Sequence, residues 1–114
     1  MLNVMPSIYN ELLTIGLPVE TEGFLTKEVS LPCITYRCDN DTQDKTGDTL
    51  MYSNVYYTIK IWGKRVADLQ TYAVKVDEVM RPLGFRRIGT NEIWADDLGQ
   101  KIIKYRALGL EEIE

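Results

Sequence analysis

Residues Thr49–Trp62, TLMYSNVYYTIKIW, constrain the fold more than any other stretch of this chain. From Val55 to Trp62 most side chains are β-branched or aromatic. A two-residue alternation puts Val55, Tyr57, Ile59 and Ile61 on one face and Tyr56, Thr58, Lys60 and Trp62 on the other. This is the pattern of a half-buried antiparallel strand. Its aliphatic face calls for a covering layer of helices. The opposite face is too polar for a core and too aromatic for an ordinary wetted surface.

The flanking segments supply the helices and the remaining strands. Val4, Ile8, Leu12 and Ile15 recur at helical spacing, so a first helix is expected over Val4–Ile15, with Asn3 as its cap, Pro6 in its first turn, and Gly16 and Pro18 as its stop. Leu17–Ser30 has no sustained period and reads as an extended connection, with Phe24–Val29 able to pair briefly at an edge. Leu31–Cys38 is expected to be a strand with Ile34 and Tyr36 on one side and Cys33, Thr35 and Arg37 on the other.

Asp39–Asp48, DNDTQDKTGD, has no apolar residue and reads as a long solvated loop between two hairpin strands. Beyond Gly63, the series Val66, Leu69, Ala73, Val76, Met80 and Leu83 predicts the clearest helix, closed by Pro82 and Gly84. Two strands follow, one at Phe85–Ile88 continuing through Glu92–Ala95 and one at Lys101–Leu108, with a turn at Asp96–Gly99 and a frayed acidic tail at Glu111–Glu114. The expected architecture is a single α+β domain over residues 1–114. A largely antiparallel sheet of about four strands packs two helices on one face, in the order helix, strand, strand, helix, strand, strand.

Charge and cysteine content narrow the chemistry. Seventeen acidic against 13 basic residues give a net charge of −4, the wrong sign for a broad phosphate-gripping face. The basic clusters at Lys64–Arg65, Arg81, Arg86–Arg87 and Lys101–Lys104–Arg106 read as solvated surface with scattered ion pairs. No apolar run approaches the roughly 20 residues that span a bilayer, and the N-terminus has no basic leader region, so the chain is expected in the cytosol.

Cys33 and Cys38 are five apart in one strand, face opposite ways, and read as reduced structural thiols. The chain has no histidine, so a zinc site would need carboxylates to complete it. Asp39, Asp41 and Gln43 only partly match a calcium loop, because Gly47 is out of place and no closing glutamate follows. There is no glycine-rich phosphate loop and no base or nucleophile with a partner. The expectation is no enzyme, no metal and no cofactor.

What this leaves unexplained is the aromatic content. Seven tyrosines and two tryptophans sit mostly in or beside strands, and Tyr52, Tyr56 and Trp62 share the face opposite the aliphatic one. Such rings bury large areas while keeping a polar handle, and they are enriched at protein interfaces. They equally serve as a shield over the strand. As candidate interaction residues the sequence offers Tyr52, Tyr56, Lys60 and Trp62 on the strand and Asp39, Asp41, Asp44 and Asp48 in the polar stretch.

Several runs occur together in an informative order: Pro32-Cys33-Ile34-Thr35-Tyr36-Arg37, the polar stretch, Tyr57-Thr58-Ile59-Lys60-Ile61-Trp62, the helix closing on Leu83-Gly84-Phe85, and the final strand Lys101–Leu108. In this order the chain, over roughly residues 1–112, resembles the tail terminator or tail-completion proteins of long-tailed bacteriophages and prophages. The resemblance implies a structural subunit of the virion tail, put together in the bacterial host cytoplasm. It implies a homo-oligomeric ring, usually a hexamer, that caps the head-proximal end of the tail tube, ends tail polymerisation and takes part in head–tail joining by offering a docking surface to the connector. Its partners would be further copies of itself, the tail tube protein and the head–tail connector. DNA would only pass through the ring, and no membrane would be involved. A neck or head-completion adaptor, or a small α+β ligand-binding domain, are the alternative readings.

Overall fold

The computed structural model of the chain describes residues 5–21, 30–46 and 50–112, with side-chain surroundings for residues 8–21, 30–39 and 55–107. Helix α1 (Met5–Leu13) buries Ile8 and Leu12 completely. The chain then turns at Gly16, whose φ of 96° lies in the left-handed region that favours glycine. The short strand β1 (Val19–Thr21) leads toward a long hairpin, β2 (Cys33–Thr46) and β3 (Leu50–Gly63). Helix α2 (Val66–Met80) buries Leu69, Ala73, Val76 and Met80, one residue per turn on one stripe. A 3-10 turn over Arg81–Leu83 ends it. There Pro82 cannot continue the α-helix, and Gly84, at φ 93°, donates its N–H to the Arg81 carbonyl at 2.9 Å. Strands β4 (Arg86–Ala95) and β5 (Leu98–Glu112) complete the chain through a tight turn at Asp96–Asp97.

The sheet runs β1-β2-β3-β5-β4, with β1 parallel to β2 and every other pair antiparallel. The predicted inner face of β3 is the floor of the core: Val55, Tyr57, Ile59 and Ile61 are all buried, beside Ile34 and Tyr36 of β2 and Ile103 and Tyr105 of β5. Both helices lie over this face, contributing Ile8, Leu12, Leu69, Val76 and Met80 to the same cluster. Tyr57 meets Phe85 edge-on at 5.6 Å between ring centres, closing the core where α2 hands over to β4.

The strands depart from the sequence expectation in four places. Among the described residues there are five rather than four, because Val19–Thr21, within the segment read as an extended connection, pairs with Ile34–Tyr36. The expected edge pairing at Phe24–Val29 and the Asn3 cap lie outside the described residues. The loop read at Asp39–Asp48 is strand as far as Thr46, where its backbone pairs row by row with Leu50–Tyr56 of β3. Backbone pairing asks nothing of side-chain polarity, so the lack of apolar residues misleads there.

The strand expected at Phe85–Ile88 with its continuation through Glu92–Ala95 is present as Arg86–Ala95, with a bulge between Arg87 and Gly89. Glu111 and Glu112, read as a frayed tail, extend β5 and pair with Met51 and Leu50. Of the turn expected at Asp96–Gly99, Leu98 and Gly99 already belong to β5.

These extensions give the sheet an arm. β4 begins opposite Arg106, whereas β3 and β5 remain paired as far as Leu50 and Glu112, and β2 accompanies them to Thr46. The molecule is accordingly long and narrow, 53 × 24 × 21 Å. Along the arm, the pairing of β1 with β2 ends at Tyr36 and that of β4 with β5 ends at Arg106, and no further described strand lies beside either outer edge.

Candidate interaction face

The face of the sheet turned away from the helices carries the candidate residues. Register sets Trp62 beside Cys33, Lys60 beside Thr35 and Thr58 beside Arg37 on one side of β3, and Gln100, Ile102, Lys104 and Arg106 on the other side from Trp62 up to Tyr56. Neither described helix covers this side, yet Thr35 and Thr58 are each only 1% exposed, and Cys33 is as deeply buried.

The neighbouring side chains do the covering. The Trp62 indole N–H donates to Thr35 Oγ1 at 2.9 Å. The Thr58 hydroxyl donates to Asp39 Oδ2, and Arg37 Nε donates to Asp39 Oδ1 at 2.6 Å. Lys60 lies over the Trp62 ring at 6.0 Å and Arg106 over the Tyr56 ring at 5.8 Å, within or near the range of cation–π attraction. Polar groups that would be costly to bury alone are thereby paired in place.

Asp39 enters this network through a bulge. Cys38 pairs with Tyr57 and Asn40 with Tyr56, so Asp39 is the extra residue between them, and its carboxylate reaches Arg37 and Thr58. A second bulge, at Arg87–Gly89 of β4, lies at nearly the same level across the sheet. Between the two runs a groove of about 430 Å³, lined by Arg37, Asp39, Tyr56, Ile88 and Lys104 together with Tyr57 and Tyr105. Exposed apolar side chains continue along β4, where Ile88 at the bulge and Ile93, in register with Gln100 on this face, are each more than a third exposed.

The structure thus brings together four of the eight residues singled out from sequence: Asp39, Tyr56, Lys60 and Trp62. Asp41, Asp44 and Tyr52 have strand backbones on the arm, Asp44 opposite Tyr52, and their side chains lie outside the described residues, as does Asp48 altogether. Sequence reasoning passed over Arg37, Thr35, Thr58, Lys104 and Arg106. The alternation of β2 places Thr35 and Arg37 on the same side as Cys33, which was the available signal. Nothing in the sequence marks the bulge that adds Asp39 to them.

The two thiols face opposite ways, as their spacing predicts: Cys38 packs against the core cluster, and Cys33 lies under the outer face. Both are free. Burial, reinforced by the charge of Glu20, pushes the Cys33 thiol up to about 11, which makes it inert at neutral pH. Among the described residues no three His, Cys, Asp or Glu side chains converge as a metal site would require. Asp39, the first residue of the partial calcium pattern, is committed to Arg37 and Thr58. No helix among the described residues is long and apolar enough to cross a membrane.

A second polar cluster sits at the far end of α2. Tyr105, fully buried, donates its hydroxyl to Asp77 Oδ1 at 3.3 Å, while Arg81 Nε meets Asp77 Oδ2 at 3.1 Å. Burial and then the adjacent Asp77 carboxylate raise the Tyr105 phenol above its ordinary range. Arg86 and Arg87 stand exposed beside this pair. No protein-family model matches the chain, and no curated protein matches it.

Proposed function

We propose that the chain is a tail terminator subunit of a long-tailed phage or prophage, closing as a ring, usually of six copies, on the head-proximal end of the tail tube and presenting the surface to which the connector docks. Two supports stand behind this reading: the resemblance carried by residues 1–112, and the outer face of the sheet. That face is the observation with the most weight. A sheet with both described helices on one side, and with Tyr56, Lys60 and Trp62 half-buried and held in position on the other, is built as a docking surface. The aromatic rings already have their orientation fixed by Thr35, Lys60 and Arg106, so little side-chain freedom is lost when a partner covers them.

Function follows as geometry and needs no cofactor. Subunits joined head to tail around a rotation axis close on themselves and leave no edge for further growth, which is how a cap differs from the tube beneath it. A protein with a net charge of −4 also offers a DNA molecule in transit little general attraction.

The test is the mass of the full chain by light scattering, with negative-stain imaging, alone and mixed with tail tubes. The expected result is a closed ring on the tube end. Tyr56→Ala and Trp62→Ala should weaken ring formation by roughly 1–3 kcal/mol each, more than they weaken folding. A chain that neither forms rings nor binds tube ends under any of these conditions overturns the reading.

A further inference from the structure

The step where β4 stops and β5 runs on is a gap the length of a short strand. β5 is paired with β3 over its whole arm, but from Ala107 to Glu112 nothing described pairs with its other edge. One end of this gap is closed by Arg86, the first residue of β4, which lies opposite Arg106. Arg87 follows, and neither Arg86 nor Arg87 forms an ion pair with another described residue. The open end of the strand is acidic, with Glu111 and Glu112 as its last paired residues. An unpaired six-residue edge is a template for strand addition. This one is basic at its closed end and acidic at its open end.

We propose that the free subunit forms a twofold dimer in which Ala107–Glu112 of two copies pair antiparallel, each filling the gap of the other. Centring the pairing between Gly109 and Leu110 sets Leu108 opposite Glu111 of the second copy and Ala107 opposite Glu112 of the second copy. The length match is automatic, since strand and gap are the same six residues. Each acidic end then arrives beside the Arg86–Arg87 corner of the other copy, and the symmetry makes the contact twice.

The competing occupant within this chain is the other arm edge, β2, and it fits less well. β2 and β5 run in the same direction, because each is antiparallel to β3. In a rotationally related copy β2 would therefore enter the gap parallel, and its first half would run into β4. Its paired arm residues also carry Asp41 and Asp44 against the single Lys45. The antiparallel β5 pairing carries the two bodies away from each other and ends where β4 begins.

This inference goes beyond the ring. A single ring has only head-to-tail contacts, so a twofold pair is a state of the subunit before it caps a tube, and it protects the arm edge from stray strand pairing until then.

The experiment uses the full chain without tubes, following mass against concentration by light scattering and amide hydrogen exchange in the same samples. A monomer–dimer equilibrium is expected, with slowed exchange at residues 107–112 in the dimer. Glu112→Lys or Arg86→Glu should each weaken the dimer by about tenfold or more, with unchanged circular dichroism, and a chain carrying both should recover it. Tyr56→Ala should leave this dimer intact while weakening the ring, so loss of the ring reading and loss of this one are separable. The proposal is overturned by a monomer at every concentration, by a dimer indifferent to both charge reversals, or by protection that falls on residues 37–46 of β2 instead.

Discussion

The two faces of β3 bury their residues by different means. On the inner face, Val55, Tyr57, Ile59 and Ile61 are buried because two helices lie on them. On the outer face, Thr58 and its neighbour Thr35 are buried to the same degree with no described helix over them, and Trp62 and Asp39, the latter held by Arg37, satisfy their hydroxyls. The inner face is bulk apolar packing and tolerates no loss of volume. The outer face includes individual hydrogen bonds between a ring, hydroxyls and the Arg37–Asp39 ion pair, with no described helix laid over them. Alternation along a strand therefore reports which residues share a side, and it does not report how deep each side is.

The contrast breaks most sharply at Ile59, fully buried at the centre of the inner face. Ile59→Ala should cost about 2–5 kcal/mol by urea denaturation, since the transfer energy of the lost methyl groups and the cavity both count.

Alkaline pH comes next. Cys33 has its thiol raised from 9.0 to about 11 in the folded chain, so between those values the unfolded chain releases a proton that the folded chain keeps. The stability held below pH 9 is therefore lost as pH rises toward 11, by roughly 1.4 kcal/mol for each pH unit crossed between the two values. Tyr105, raised in the same direction, adds to the loss above the ordinary tyrosine range. Urea melts at pH 8 and pH 10.5 check this, and Cys33→Ala should flatten the dependence in the lower part of that range.

The smallest effect tests the outer face alone. Trp62→Phe keeps a ring but removes the donor to Thr35, and should cost about 1 kcal/mol, with the Tyr56 side of the face undisturbed.

The inner face was legible in the sequence because hydrophobic burial imposes a period. The Val55–Ile61 alternation, the Ile8 and Leu12 spacing and the Leu69–Met80 stripe mark the core, both helices and the side of the sheet they cover. What escaped has no period to show. β1 is only three residues long and acquires its meaning from a parallel partner at Ile34–Tyr36. The polar half of β2 is strand because β3 continues beside it, a long-range reason invisible in DNDTQDKT itself. For the candidate face, Tyr56, Lys60 and Trp62 could be placed by counting in twos. Counting also places Thr58 and Arg37 on this side, but it cannot add the Asp39 carboxylate between them, because a bulge is a property of two strands compared, not of one read alone.

The Asp39 bulge bears on how sequences of this kind can change length. Cys38 pairs with Tyr57 and Asn40 with Tyr56, so the partners on β3 are already consecutive, and Asp39 is surplus to the ladder. A chain lacking Asp39 alone would keep each remaining row of the arm in its present pairing. Thr58 and Arg37 would lose the carboxylate between them. A single-codon deletion elsewhere in the paired part of β2 would shift the register of every row beyond it and turn each side chain to the other face. Asp39 is therefore the one position of β2 at which insertion and deletion are separated from register, and at which the groove can gain or lose a charge while the arm keeps its pairing.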